Sequence, residues 1–157
     1  MEMSLKLIAL LCVSTGLWIG ADASCKACPA GWTQFESHCY LFQHSPMVWA
    51  DAEKHCTTLG ANLVSLHSKE QHTFIQNTLM GIAGKLVNIW VGGQDAVKEG
   101  VWLWSDGSLF DFNGWSKGEP NNYGRGEDCM EMNFREKDFI NDIGCSKKSS
   151  FMCAKPL

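Results

Sequence analysis

The 157-residue sequence has no surplus of basic residues: 13 Lys and Arg stand against 17 Asp and Glu, a formal net charge of −4. A protein that binds the nucleic-acid backbone needs clustered positive charge to displace counterions, so that partner class is excluded. Proline is scarce, with 4 residues, and the 15 glycines follow no fixed period, which excludes collagen-like and repeat architectures. With 45% hydrophobic and 19% charged residues, the composition is that of one compact domain rather than a disordered chain.

Common catalytic signatures are also absent. The sequence contains no Gly-x-Ser-x-Gly, no His-Glu-x-x-His and no glycine-rich phosphate loop with lysine. The Cys25-x-x-Cys28 pair has no second pair, so it is weak evidence for a zinc or redox site. The five histidines lack zinc-ligand spacing, and we interpret them as surface or helix-face residues: His38, His44, His55, His67 and His72.

Only the N-terminus carries a long apolar run. Lys6 precedes apolar residues 7–20, and Ala21-Asp22-Ala23 supplies the small residues that a signal peptidase cleaves after. The run is too short to span a bilayer, and no other stretch is long enough to do so. We therefore predict a secretory signal peptide at residues 1–23, one mature domain at 24–157, and a secreted, extracellular protein without a membrane span.

Cysteine is abundant, with 8 residues. Cys12 lies in the predicted signal peptide, so seven remain in the mature chain. An oxidising compartment allows six of them to form three disulfide bonds, and spacing alone leaves 15 connectivities open. The seventh needs a partner outside the domain or stays a free thiol. The seven are Cys25, Cys28, Cys39, Cys56, Cys129, Cys145 and Cys153.

Two amphipathic helices are predicted in the first half of the mature chain. Ser45-Pro46 has the pattern of an N-cap followed by proline in the first turn, and apolar residues recur at helical spacing until Gly60. The second helix begins at Ser68, in a capping-box pattern, and is expected to end at Gly81.

Short strands surround these helices, and one long segment lacks any period. Residues 94–126 are rich in Gly, Asn and Asp, but their tryptophans indicate an ordered, functional loop. The combination predicts a single α+β domain. The predicted strands are a hairpin within residues 28–42, a buried run at 87–91, and closing strands at 130–134, 139–143 and 151–154.

Carboxylate and amide side chains accumulate in this irregular region and just after it. Oxygen ligands on irregular backbone suit a hard cation such as Ca²⁺, although a solvated acidic surface has the same composition. The residues concerned are Asp95, Glu99, Glu119, Asn121, Asn122, Glu127, Asp128, Asn141 and Asp142.

The order of these residues resembles the sugar-binding signature of the C-type lectin family. Glu119-Pro120-Asn121 is followed by Glu127-Asp128-Cys129 and then by Asn141-Asp142 before Cys145. Trp90-Val91-Gly92-Gly93 is similar to the core strand of that family, and the likeness extends over about residues 28–155. The chain is similar to secreted, single-domain (long-form) C-type lectins with the Glu-Pro-Asn motif of mannose-type binding.

This resemblance implies a C-type lectin-like fold, with two helices, small antiparallel sheets and a long calcium-binding loop region. It also implies three disulfide bonds: Cys28–Cys39, Cys56–Cys153 and Cys129–Cys145. Cys25 has no counterpart in that scheme. A single sugar site binds weakly without several copies on one particle, so we predict a disulfide-linked homodimer through Cys25.

The resemblance further implies a primary calcium site that also binds the sugar. Pro120 is expected to follow a cis peptide bond, which costs little before proline. In the family, Glu-Pro-Asn accompanies mannose-type glycans and Gln-Pro-Asp accompanies galactose. The implied ligands are Glu119, Asn121, Glu127, Asn141 and Asp142.

A second calcium site is implied beside the first. Asn122 stands where the family usually has a carboxylate, which should weaken this site, because charge count tunes calcium affinity. Ile140 replaces a family tryptophan and removes packing surface rather than a ligand. The implied residues are Asp95, Glu99, Asn122, Glu127 and Asp128.

Three functions follow as alternatives. The first is a calcium-dependent lectin for mannose-type glycans, acting in innate defence or in a secreted fluid. The second is an ice-binding or protein-binding molecule on the same scaffold, since a fold alone does not define a function. The third is a glycosidase that uses Glu119 and Glu127 as paired carboxylates. Metal ligation explains both residues better, so we expect no enzymatic activity.

Overall fold

The computed structural model describes residues 27–124, 126–133, 135 and 137–157. The predicted signal peptide and Cys25 lie outside them. Two helices and eight strands occur in this part of the chain. In chain order they are β1 (Thr33–Phe35), β2 (His38–Met47), α1 (Trp49–Thr58), β3 (Asn62–Leu63), α2 (Lys69–Ala83), β4 (Ile89–Gln94), β5 (Leu103–Trp104), β6 (Cys129–Met132), β7 (Ile140–Ile143) and β8 (Ser149–Pro156).

The strands form one sheet in the order β1-β2-β8-β4-β6-β7, with β3 paired to β8 and β5 paired to β4. Strand β2 pairs antiparallel with β8, so the two ends of the described chain lie side by side. Strands β4 and β8 are parallel, and every other pairing among the described strands is antiparallel. The predicted α+β class and C-type lectin-like fold are confirmed, with one mixed sheet in place of the expected small antiparallel sheets.

The two helices cover opposite faces of this sheet. Successive residues of a strand point to opposite faces, and Trp90 packs with buried residues of α1, whereas its neighbour Val91 packs with buried residues of α2. Phe151 and Met152 of β8 divide in the same way. The core therefore consists of two apolar layers separated by the sheet.

The predicted start of the first helix is wrong. Ser45 and Pro46 belong to β2, which continues across a register irregularity until Met47 pairs with Ser149. The helix begins at Trp49, and its N-cap residue Val48 makes no side-chain capping bond. The β8 partners of Gln43 and Met47 on either side keep this segment in the strand, which overrides the local preference for a helix start. The expected end at Gly60, where φ is +66°, is close to the observed one.

The second helix begins where the sequence predicts. The hydroxyl of its N-cap Ser68 accepts a hydrogen bond from the Gln71 backbone N–H. The helix does not end at Gly81 but continues to Ala83, and Gly84 caps it with φ of +71°. A helix tolerates an internal glycine at a modest cost, whereas a left-handed C-terminal residue favours glycine strongly.

Strand β4 begins at Ile89 rather than at residue 87, and it runs through Gly92 and Gly93 to Gln94 instead of ending before them. A Cβ at Gly92 would lie 2.7 Å from the Leu63 carbonyl oxygen, and one at Gly93 would lie 2.8 Å from the Met130 side chain. These glycines permit close approach of neighbouring strands rather than a turn.

The long loop region is ordered by aromatic packing, as expected, and contains the short strand β5, which the sequence did not indicate. Within it, the Trp104 and Phe110 ring centroids are 4.7 Å apart, and those of Trp102 and Trp115 are also 4.7 Å apart. The three predicted disulfide bonds all form: Cys28–Cys39, Cys56–Cys153 and Cys129–Cys145. In the described residues, neither helix has the length and hydrophobicity needed to cross a membrane.

Candidate functional site

The Glu-Pro-Asn segment forms a tight turn beside the end of the sheet. The Glu119–Pro120 peptide bond is cis, as predicted. The Glu119 backbone N–H donates to the Ser116 carbonyl oxygen at 2.9 Å. The Asn121 side-chain amide donates to the Glu119 carboxylate. The two outer residues of the motif therefore present their oxygen-bearing side chains next to each other.

Asp142 connects this turn to the sheet. It lies in β7, is 1% exposed, and pairs with Met130 of β6. Its two carboxylate oxygens accept hydrogen bonds from the Asn121 backbone N–H at 3.0 Å and the Asn122 backbone N–H at 2.7 Å. A residue on a rigid strand thus determines the position of the irregular turn.

Most of the predicted primary residues line one open pocket of about 390 Å³. Four of them do so: Glu119, Asn121, Glu127 and Asn141. The fifth, Asp142, supports the turn through its two hydrogen bonds.

Carboxyl groups at this pocket oppose each other's ionisation, although Lys117 and Arg135 also line it. Burial raises the pKa of Glu119, and the adjacent Asp142 and Glu127 carboxyl groups raise it further. Burial likewise raises the pKa of Glu127, with a further increase from Asp142 that Lys147 partly opposes. Carboxylates that disfavour each other's ionisation gain stability when a cation lies between them.

The predicted secondary residues also converge. Asn122 accepts a hydrogen bond from the Glu127 backbone N–H at 2.8 Å, and its amide donates to the Glu99 carboxylate. The Asp95 backbone N–H donates to the Asp128 carbonyl oxygen at 3.1 Å. The five residues therefore form two hydrogen-bonded groups, Glu99–Asn122–Glu127 and Asp95–Asp128, and they are close enough that Asp95 and Asp128 raise the pKa of Glu99.

Asp95 carries an unsatisfied atom among these residues. The residue is 2% exposed; its Oδ2 accepts from the Gly100 backbone N–H at 2.7 Å, whereas Oδ1 is buried without a hydrogen-bond partner. Burial raises the pKa of Asp95, and Asp128 and Asp142 add to that effect. The pKa of Glu99 is raised by desolvation and then by the Asp95, Asp128 and Asp142 carboxylates.

The ligand atoms of these residues fit a hard cation. They are all oxygen atoms, most of them belong to carboxylates, and Asp95 Oδ1 is buried without a hydrogen-bond partner. Carboxylates alone are not sufficient. Among the described residues, no cluster of three or more His, Cys, Asp or Glu is arranged to hold a metal ion. Any cation at this position would therefore depend on the asparagine amides as well.

Sequence reasoning missed three residues at the site. Glu131 of β6 is 3% exposed and accepts hydrogen bonds from the Asn141 and Asn88 side-chain amides, each at 3.1 Å. Tyr123 lines the pocket and is 79% exposed. An aromatic residue two positions after the Glu-Pro-Asn motif was a usable sequence signal for Tyr123. Glu131 and Asn88 gave none, because they belong to buried strands or lie beside them.

A second set of acidic residues in the long loop lies against the N-terminal half of the domain. Asp106 accepts hydrogen bonds from the Ser65 hydroxyl at 2.7 Å and the Ser108 hydroxyl at 2.6 Å. His67 lies 3.1 Å from Asp111 and 3.0 Å from the Ser65 hydroxyl. We name these five residues the loop clamp. Burial opposes the ionisation of Asp106, but the hydrogen bonds from Ser108 and Ser65 and the nearby His67 outweigh it and lower its pKa.

Comparison with known proteins gives a consistent assignment. The family model of the Lectin C-type domain matches residues 45–155. The chain is 43% identical over 150 residues to the galactose-specific lectin nattectin of Thalassophryne nattereri, covering 94% of each chain. It is 47% identical over 118 residues to ladderlectin of Oncorhynchus mykiss, covering 75% of this chain and 62% of the relative.

A solved structure with a related fold is the herring type II antifreeze protein. The TM-score is 0.76 at 35% identity, and the alignment covers 83% of this chain and 99% of the other. The relatives thus include both proteins named as lectins and a protein named for antifreeze activity.

Proposed function

Since this chain belongs to the C-type lectin family, we propose that it is a secreted, calcium-dependent lectin for mannose-type sugars. The observation that carries the proposal is the pocket that brings Glu119, Asn121, Glu127 and Asn141 together beside the cis Glu119–Pro120 bond. Those side chains supply acceptors and donors on one wall, which is what a hydroxyl-rich ligand requires.

In this proposal, Ca²⁺ is held by oxygen atoms of Glu119, Asn121, Glu127, Asn141 and Asp142. When bound, the ion attracts the lone pairs of two neighbouring sugar hydroxyls. The carboxylates of Glu119 and Glu127 accept hydrogen bonds from the hydroxyl groups, and the amides of Asn121 and Asn141 donate hydrogen bonds to the hydroxyl oxygens. Each hydroxyl then has a matched acceptor and donor, which orients the sugar ring.

The choice of sugar rests on the Glu-Pro-Asn motif, which favours mannose-type hydroxyl geometry, whereas the relative nattectin is named galactose-specific. Exchanging Glu119 and Asn121 for Gln and Asp swaps the acceptor and donor positions around the ion. The exposed Tyr123 ring beside the pocket is the second determinant, because aromatic faces pack against the apolar face of a sugar.

Affinity chromatography tests this proposal. The mature protein is applied to immobilised mannose and galactose with Ca²⁺ and then with excess EDTA. We expect retention on mannose that EDTA abolishes, and a shift toward galactose in E119Q/N121D. The matched control is D111N, which removes one carboxylate of the loop clamp and should behave as wild type. Retention in EDTA would contradict the calcium mechanism, and unchanged selectivity of the double variant would show that other residues choose the sugar.

Three further predictions belong to this proposal: cleavage of residues 1–23, a weaker second calcium ion at Asp95, Glu99, Asn122, Glu127 and Asp128, and a Cys25–Cys25 homodimer. N-terminal sequencing of the secreted protein checks the first. Calcium titration that resolves two affinities checks the second calcium ion.

A non-reducing gel that compares wild type with C25S checks the Cys25–Cys25 homodimer, and a monomer in both lanes would contradict it.

Ice binding is the second candidate, favoured by the 35% identity and TM-score of 0.76 to the herring antifreeze protein. A thermal-hysteresis measurement with and without Ca²⁺ separates the two functions. Hysteresis without retention on any immobilised sugar would favour the antifreeze function over the lectin.

A further inference from the structure

The buried carboxylate of Glu131 lies directly behind the proposed primary site. It is 3% exposed and sits on β6 opposite Asn141 of β7. The Asn141 amide nitrogen donates to Oε1 at 3.1 Å, and the Asn88 amide nitrogen donates to Oε2 at 3.1 Å. Each oxygen of this carboxylate therefore has its own amide donor.

This arrangement fixes the orientation of Asn141. Both carboxyl oxygens of Glu131 accept from side-chain amide nitrogens, so the nitrogen of the Asn141 amide faces Glu131. The carbonyl Oδ1 is then directed away from Glu131, and it is the end left for the pocket that Asn141 lines. In the opposite orientation, the amide would bring N–H hydrogens to the cation and its oxygen to a carboxylate. Both contacts are repulsive.

We propose that Glu131 is a positioning residue that acts through Asn141, holding its amide with the oxygen toward the cation and one N–H toward Glu131. The second N–H of the same nitrogen is left for a sugar hydroxyl. This inference rests on the proposed calcium-dependent function. Residues that orient metal ligands in this way usually affect metal affinity by about 10- to 100-fold.

Substitution E131Q tests the proposal, because glutamine offers one acceptor and one donor to two amide donors. Either Asn88 or Asn141 must then rotate, and we expect the calcium dissociation constant to rise about 10-fold. The rescue variant is E131Q/N88D. Its new carboxylate accepts from the glutamine amide, so the glutamine oxygen again faces the Asn141 nitrogen, and the total charge equals that of wild type. We expect its calcium affinity to return to within about threefold of wild type.

The matched control is N88A, which removes the other amide and leaves the Glu131–Asn141 hydrogen bond in place. Calcium affinity is measured by isothermal titration calorimetry, and the melting temperature of each variant is measured separately in EDTA. A lower melting temperature with unchanged calcium affinity in E131Q would assign Glu131 a purely structural role and overturn the proposal. A double variant that binds no better than E131Q would also overturn it.

If E131Q does not fold, NMR of the wild-type side-chain amides decides the question. Slow exchange of one Asn141 amide proton, before and after Ca²⁺ addition, supports the proposal, and rapid exchange of both protons contradicts it. The proposed function fails separately: wild-type protein that binds no Ca²⁺ would refute calcium-dependent binding, whereas equal binding by wild type and E131Q would refute only the positioning role.

Discussion

The loop clamp and the candidate site both contain acidic side chains from the long loop, but the pKa of Asp106 in the first and the pKa values of Glu119 and Glu127 in the second are shifted in opposite directions. In the loop clamp, hydroxyls of Ser65 and Ser108 donate to Asp106, whose pKa is lowered. In the candidate site, the pKa values of Glu119 and Glu127 are raised by burial and by neighbouring carboxylates.

The difference shows which carboxylates are stabilised in their ionised form by groups of the chain itself. In the loop clamp, Ser65 and Ser108 donate hydrogen bonds to Asp106, and the ionised form of Asp106 stabilises the folded state. In the candidate site, neighbouring carboxyl groups oppose each other's ionisation although Lys117 and Arg135 line the same pocket, and one Asp95 oxygen is buried without a hydrogen-bond partner. A cluster that opposes its own ionisation indicates an external cation, whereas a satisfied cluster indicates a structural contact.

The largest effect is expected when the carboxylate shared by both predicted calcium sites is neutralised. Glu127→Gln keeps an oxygen that can accept from the Tyr123 backbone N–H, as Glu127 does at 2.9 Å, but removes one negative charge. We expect calcium affinity to fall by at least about 100-fold, because a direct ligand matters more than an outer residue. Calorimetric titration measures it, with D111N as control. A similar loss in D111N would remove the distinction between the two clusters.

Added calcium should stabilise the fold through the candidate site alone. At a free concentration of 100 times the dissociation constant, the free energy of unfolding should rise by about 2.7 kcal/mol. Denaturant unfolding with Ca²⁺ and with EDTA measures the increase. It should be retained in D106N and lost in E127Q. An increase that disappears in D106N would show that the loop clamp contributes to calcium binding.

In the metal-free protein, acidification should change the contributions of the two clusters to the free energy of unfolding in opposite directions. Folded-state pKa values of Glu119 and Glu127 are raised, so their ionised forms destabilise the fold, and acidification through those raised values relieves the penalty. The pKa of Asp106 is lowered, so its contribution is present above the unfolded value and is lost as the pH falls through the folded one.

Two measurements check this pH dependence. Calcium affinity should begin to fall at a higher pH than for ordinary carboxylates, because protons compete for ligands with raised pKa values. In EDTA, the stability difference between wild type and D106N should shrink as the pH falls from the ordinary aspartate pKa of 3.8 through the lowered folded-state pKa of Asp106. A difference that grows over this range would contradict the assigned direction.

The smallest effect is expected from the loop clamp itself. Ser65→Ala removes one hydroxyl that donates to Asp106 at 2.7 Å, and we expect the free energy of unfolding to fall by about 1 kcal/mol. Calcium affinity should stay within about twofold of wild type, since this hydroxyl touches none of the predicted ligands. Denaturant unfolding in EDTA and calcium titration test the two parts separately.

Features that depend on neighbouring residues in the chain could be predicted from the sequence. The cap at Ser68 is an example, since its hydroxyl reaches a backbone N–H three residues away. The three disulfide bonds and the cis Glu119–Pro120 bond were accessible for a different reason, because they followed from a motif order typical of one family. Local preference failed at Ser45-Pro46, where pairing with a distant strand decides the conformation.

The sequence by itself determined the α+β class and the set of oxygen-bearing side chains, and its resemblance to one family implied the cysteine pairing. Tertiary structure decided what each of those side chains does. Asp106 and Ser65 are 41 residues apart, and so no local pattern could show that this carboxylate is satisfied. Glu131 reads as one residue of a buried strand until β7 brings Asn141 opposite it. Residue type sets which atoms can donate or accept, but only folding sets which of them meet and which remain for a ligand.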